Sequence, residues 1–210
     1  GRKKAISFLK SEQVDGLIVI GGDGSFTGAN ILSEEMDIPV IGIPGTIDND
    51  IFGTDHTIGY DTALNTVVDA IDKIRDTASS HHRVFFVEVM GRDAGFIALN
   101  TAIAAGAESV LIPEEITNVD ALVQEIKESN HGRRGTIILV AEGDDAGGGM
   151  EIMNKVAPYL EGYSLRCTIL GHIQRGGRPS AFDRILATRM GSLAVDLLMN
   201  GTSNCMIGVD

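Results

Sequence analysis

Two loops in this 210-residue chain carry groups that could move a phosphoryl group. One is Pro44-Gly45-Thr46-Ile47-Asp48-Asn49-Asp50, which sets a hydroxyl and two carboxylates at alternate positions behind a Pro-Gly turn. In an extended backbone Thr46, Asp48 and Asp50 would project to one side, where a carboxylate can take the proton of a hydroxyl nucleophile. The other loop is Gly21-Gly22-Asp23-Gly24-Ser25. Its glycines let backbone amides approach phosphate oxygens, and Asp23 is suited to a magnesium ion bridging the phosphates of a nucleotide.

Each loop follows an apolar run, at 17–20 and 38–43, and further runs lie at 84–89, 110–112, 137–140 and 167–170. They alternate with helical patterns, which predicts a parallel α/β sheet whose sites lie past the carboxyl ends of its strands. The expected helices are 26–35, 94–105, 119–129, 151–160 and 180–199, with Asn118 capping the third and Pro179 in the first turn of the last. A long helix is expected where Tyr60, Ala63, Leu64, Val67, Ile71 and Ile74 form an apolar stripe, with Asp69, Asp72, Lys73 and Asp76 outside it. The glycine-rich stretch at 144–149 reads as a mobile surface loop.

At 43% hydrophobic residues the chain can bury a sizeable core. No apolar run approaches the roughly 20 residues of a membrane helix, and the opening Gly1-Arg2-Lys3-Lys4 has no signal-peptide core; the expected compartment is the cytoplasm. A net charge of −12 argues against nucleic acid or an anionic membrane as partner. Cys167 and Cys205 have neither metal nor redox spacing and read as buried small hydrophobes. An anionic substrate therefore needs local arginines, and Arg83, Arg92, Arg166, Arg175, Arg178 and Arg184 lie in or beside glycine- or histidine-containing segments. His56, His81, His82 and His131 are assigned to no metal. The chain opens inside a helical pattern without an initiator methionine and closes just after the apolar run 205–209. This leads us to expect a fragment lacking an N-terminal strand, with its own glycine turn, and the C-terminal end.

Two more segments complete an ordered set: Val87-Glu88-Val89-Met90-Gly91-Arg92-Asp93-Ala94-Gly95 and Leu170-Gly171-His172-Ile173-Gln174-Arg175-Gly176-Gly177-Arg178-Pro179. With these four motifs in this order, the chain closely resembles the ATP-dependent 6-phosphofructokinase family along essentially its whole length. The resemblance implies a two-lobed, Rossmann-like α/β fold of three-layer parallel sheets with helices on both faces. Residues 1–59 and 174–210 would form the nucleotide lobe and 60–173 the sugar-phosphate lobe, with transfer in the cleft between them. It implies the glycolytic transfer of phosphate from MgATP to the 1-hydroxyl of fructose 6-phosphate, giving fructose 1,6-bisphosphate and ADP.

Carried over residue by residue, the resemblance makes Asp48 the base, with Asp50, Thr46 and Arg92 completing the catalytic set. Gly22, Gly24 and Ser25 would contact nucleotide phosphates and Asp23 the Mg2+. Met90, Gly91, Arg92, Glu142, His172 and Arg175 would bind the sugar phosphate together with Thr46 and Asp48. Arg83 and Arg166 would come from a neighbouring subunit, which implies a homo-oligomer, typically a tetramer. Arg75, Gly106 and Glu108 match effector-binding positions of allosteric members, while His131-Gly132-Arg133-Arg134-Gly135 keeps part of a basic effector pattern. Glycine at 24 and 45, where pyrophosphate-using relatives carry larger residues, points to ATP as donor. The alternatives are a pyrophosphate-dependent enzyme and a catalytically silent regulatory half.

Overall fold

In the computed structural model, which describes residues 1–77, 83–129 and 135–210, the chain divides into two compact units. The first comprises Gly1–Thr46, Asp50–Gly59 and Pro179–Asp210, the second Ile47–Asn49 and Tyr60–Arg178. His81, His82 and the basic residues 131–134 lie outside the described residues.

The first unit holds a parallel sheet in the order β1-β2-β7, formed by β1 (Leu17–Gly21), β2 (Val40–Pro44) and β7 (Cys205–Met206). Every residue of β2 is buried, as expected of a central parallel strand covered on both faces. Ile41 and Ile43 pack with Ile207 against Leu186, Met190 and Ala194 of helix α7 (Ala181–Met199). On the other face Gly42 lies under the Phe26 ring of helix α2 (Asp23–Met36). A short helix α1 (Arg2–Ser11) is joined to α2 by the Arg2–Glu35 ion pair at 2.9 Å.

Helix α2 begins three residues earlier than its apolar pattern suggests. Gly22 sits extended at its N-cap, and Asp23 occupies the first turn, where the helix dipole favours a carboxylate. At α7, Pro179 falls before the helix; Ser180 is the cap, accepting from Asp183 N at 3.2 Å, because a hydroxyl satisfies an orphan amide and proline cannot. Cys205 is exposed rather than buried, since β7 is an edge strand.

The second unit is a four-stranded parallel sheet, in the order β4-β5-β3-β6, between two helical layers. Its strands are β3 (Arg83–Val89), β4 (Ser109–Leu111), β5 (Thr136–Ala141) and β6 (Ser164–Ile169). Alternate residues of β3 and β5 face opposite layers, as a period of two requires. Phe85, Val87, Ile137 and Leu139 pack on α3 (Tyr60–Thr77) and α4 (Phe96–Ala105). Val84, Phe86, Ile138 and Val140 pack on α5 (Val119–Ser129) and α6 (Gly149–Val156). On α3 the predicted stripe is the buried face: Tyr60, Ala63, Val67 and Ile71 are enclosed and Leu64 and Ile74 pack at its edge. Asn118 caps α5 as expected, its side chain accepting from Ala121 N at 3.0 Å.

Loop 144–149 differs from its reading as a mobile surface segment. Asp144 is buried, accepting from Thr117 Oγ1 at 2.8 Å and from Ala146 N at 2.9 Å, and Glu88 Oε2 accepts from Gly149 N at 2.8 Å. Glycine composition signals a turn, and here carboxylates hold the turn down. No helix among the described residues is long and apolar enough to cross a membrane.

Candidate active site

Loop 21–25 of the first unit lies open at its helical end. Asp23, Gly24 and Ser25 are exposed on the first turn of α2, and a methyl group on Gly24 would meet nothing within 4 Å. Beside the loop runs the segment after β2: Gly45 N donates to Gly21 O at 3.0 Å, and a Cβ on Gly22 would stand 3.7 Å from that of Thr46. Thr46 is held from behind, its carbonyl accepting from the buried Thr57 Oγ1 at 2.6 Å.

Past Thr46 the chain does not stay extended. It bends at 47–48, and Asn49 takes a left-handed φ of 55°. The alternation expected of Thr46, Asp48 and Asp50 is thereby corrected. Asp48 belongs to the second unit with Ile47, which packs on that unit's core, whereas Thr46 and the exposed Asp50 belong to the first. The physical reason is the apolar Ile47 side chain, which packs partly buried against that core and favours the bend over a straight run.

In the second unit the loop from the carboxyl end of β3 meets Asp48, and the loops that follow β5 and β6 are tied to it through Glu142 and Gln174. Asp48 is 2% exposed and its Oδ2 lies 3.3 Å from Arg92 Nε, while the Arg92 side chain is 65% exposed. Arg92 has a φ of 53° after Gly91 at 146°, an uncommon conformation for a side-chain-bearing residue. Its amide donates to Glu142 Oε1 at 3.0 Å, and Glu142 N donates to Val89 O at 2.9 Å. Gly143 passes so close that a Cβ there would overlap the Arg92 carbonyl oxygen and lie 3.0 Å from its carbon.

After β6 a short 3-10 turn, Gly171–Arg175, exposes His172 and Arg175 and buries Gln174. Leu170 N donates to Glu88 O at 3.1 Å, so the turn sits directly beyond the β3-β6 ladder. Asp48, Met90, Gly91, Arg92, Glu142, His172 and Arg175 thus gather at one edge of one sheet. The arrangement can clamp an anionic, hydroxyl-bearing ligand beside a carboxylate.

Arg83 and Arg166 are not brought there. Arg83 begins β3, and the strand's six steps to Val89 make about 20 Å. Arg166 pairs in register with Phe85, nearer the same amino-terminal end, and donates to Leu165 O at 2.8 Å. Arg75, Gly106 and Glu108 form their own cluster. The Arg75 Nη2 donates to Ala105 O at 2.8 Å and Gly106 O at 3.0 Å, capping α4, and Arg75 Nη1 lies 4.0 Å from Glu108 Oε1. Glu108 also accepts from Ile137 N at 2.7 Å, at the start of β5.

Thr57 and Gln174 are supporting residues that the motifs do not reveal in that role. Thr57 stands outside every motif, and Gln174 stands inside one in which nothing local signals that it is the buried residue. Among the described residues no three His, Cys, Asp or Glu side chains converge as a metal cage. One exposed carboxylate at a helix N-terminus fits magnesium, which keeps most of its coordination for water and substrate phosphates.

A family model described as phosphofructokinase matches residues 1–198. The chain belongs to the phosphofructokinase family. A relative named ATP-dependent 6-phosphofructokinase 2, from Bacteroides thetaiotaomicron, is 57% identical over 100% of this chain and 65% of its own length. ATP-dependent 6-phosphofructokinase 1 of Thermus thermophilus is 52% identical over 99% of this chain and 65% of its own. The chain therefore spans 65% of the length of these members of the family. The structure of phosphofructokinase from Saccharomyces cerevisiae superposes with a TM-score of 0.89 at 36% identity, covering 100% of this chain and 32% of that one. The parallel α/β architecture is that of the family.

Proposed function

We propose that this chain belongs to an enzyme that transfers the terminal phosphate of MgATP to the 1-hydroxyl of fructose 6-phosphate, giving fructose 1,6-bisphosphate and ADP in glycolysis. The observation that carries the reading is the buried Asp48 carboxylate, paired with Arg92 on a loop that Glu142 holds by its backbone. A hydroxyl is a weak nucleophile at neutral pH, and Asp48 accepts its proton as the new bond to phosphorus forms. The Arg92 guanidinium faces outward from Asp48 and offers charge to the transferring phosphoryl group, where phosphoryl transfer needs positioning and neutralisation most. Thr46 and Asp50 organise the base and the incoming phosphate.

Met90, Gly91, Arg92, Glu142, His172 and Arg175 hold the sugar phosphate, Glu142 on its hydroxyls and His172 and Arg175 at the 6-phosphate. Gly22, Gly24 and Ser25 contact the nucleotide phosphates, and Asp23 holds Mg2+, which when bound neutralises charge on them. The first unit serves the nucleotide and the second, which includes Asp48, Gln174 and Arg175, the sugar phosphate. ATP as donor is supported by the relatives' names and by Gly24, whose surroundings leave room for a side chain that is nevertheless absent. Gly45 supports it less, because a Cβ there would come within 2.9 Å of Ile20 Cγ2 and packing alone favours glycine.

Arg83 and Arg166 act in a neighbouring subunit's site, a role supported by their distance from the Met90–Arg92 end of their own sheet. The working form is then a homo-oligomer, a tetramer, in the cytoplasm. Arg75, Gly106 and Glu108 bind an allosteric effector where Arg75 caps α4. The test is product formation from fructose 6-phosphate by the full-length protein, with magnesium and either ATP or pyrophosphate. Fructose 1,6-bisphosphate with ATP alone is expected; product with pyrophosphate alone overturns the donor, and none with either overturns the activity.

A further inference from the structure

We infer that Gln174 is a positioning residue that locks the two halves of the sugar-phosphate site to one another, an inference that rests on the function proposed above. Its side chain is 1% exposed and bridges two backbone segments: Oε1 accepts from Met90 N at 3.1 Å, and Nε2 donates to Gly171 O at 3.0 Å. Met90 opens the loop that carries Arg92. Gly171 opens the turn that carries His172 and Arg175.

No other side chain of that turn is available as an anchor. His172, Ile173 and Arg175 are exposed, and Gln174 is the turn's buried residue. An apolar side chain of the same volume would fill the space, but it would leave the Met90 amide without this acceptor and would let the turn slide. The carboxamide prevents this because it offers an acceptor and a donor from one planar group. It sets the register between Arg92 on one loop and His172 and Arg175 on the other. A misplacement of about 1 Å at such a site can cost on the order of 10²-fold.

The variants Gln174→Leu and Gln174→Glu separate this role from general stability. Leucine removes both bonds. Glutamate keeps the shape, and when ionised it accepts from Met90 N but turns a second acceptor toward Gly171 O; protonated, it restores a donor. Burial raises a carboxyl pKa, so this restoration begins at mildly acid pH.

The experiment measures equilibrium binding of fructose 6-phosphate and of MgATP to the full-length protein and both variants, at pH 8 and pH 6, each compared with the parent at the same pH. We expect sugar-phosphate affinity to fall roughly 10- to 100-fold at pH 8 in both variants, with MgATP affinity unchanged within about twofold. The glutamate variant should recover toward the parent at pH 6 while the leucine variant does not. Unchanged sugar-phosphate affinity, a parallel loss of MgATP binding, or equal behaviour of the two variants at pH 6 overturns the role of Gln174 and leaves the proposed activity standing. A parent that binds no fructose 6-phosphate overturns that activity, and this inference with it.

Discussion

The two regions proposed to handle phosphate are built in opposite ways. The loops at the carboxyl ends of β3 and β6 in the second unit are cross-tied: Arg92 is fixed at its guanidinium by Asp48 and at its amide by Glu142, while Met90 is fixed by Gln174. Loop 21–25 of the first unit is a helix start, exposed from Asp23 to Ser25, with open space around Gly24. On the proposed reading, side chains pre-position the site for the sugar phosphate, whereas the nucleotide would be met by backbone amides and one carboxylate. A backbone cradle serves a ligand whose phosphates bring their own cation. A small sugar phosphate must be aimed at one hydroxyl, which takes fixed side chains.

This contrast can be broken most severely at the base. Asp48→Asn keeps the shape but cannot take a proton; turnover should fall about 10²–10⁴-fold, with modest change in the affinity for fructose 6-phosphate, as read by steady-state kinetics. Turnover equal to the parent's would remove Asp48 from the chemistry.

Next in size is the proposed sharing of the site between chains. Arg166→Ala should weaken fructose 6-phosphate roughly 10- to 100-fold, the scale of a lost charge-assisted hydrogen bond. Mixed oligomers of Arg166→Ala and Asp48→Asn chains should regain activity that neither parent variant has under limiting fructose 6-phosphate, because some hybrid sites contain neither substitution. Absence of complementation would return Arg166 to a role within its own chain or to none.

Paired alanine substitutions sharpen the comparison itself. Gly143→Ala would drive a Cβ into the Arg92 carbonyl; we expect a stability loss of about 1–3 kcal/mol in urea melts and a raised KM for fructose 6-phosphate alone. Gly24→Ala meets nothing and lies within a helix. It should leave stability equal or improve it by about 0.4–1 kcal/mol while raising the KM for ATP alone. If the two substitutions affected both substrates alike, the division of labour between the regions would not hold.

Much of this was legible in the residue pattern. Apolar runs ending in Gly21-Gly22 and Pro44-Gly45 announced two strand ends with their loops, because burial on both faces of a parallel strand requires an unbroken apolar run and a turn requires glycine or proline. The stripe from Tyr60 to Ile74 announced α3. Misreadings arose where a side chain's partner is remote in sequence. Loop 144–149 read as mobile because Thr117 and Glu88, which hold it, lie far upstream. Asp23 read as part of a loop rather than a helix because a helix's first turn carries no apolar periodicity.

By itself the sequence determined the order of strands and helices, the identity of the loops and, through four motifs, the family. These depend on local composition and spacing. Only the tertiary structure decided that Asp48 packs with the second unit while Thr46 and Asp50 pack with the first, that Gln174 faces inward while His172 and Arg175 face out, and that Arg83 stands at the far end of β3 from the loop that carries Arg92. Each of these depends on where the chain's distant parts pack, as when Ile47, partly buried against the second unit's core, bends the segment that carries Asp48.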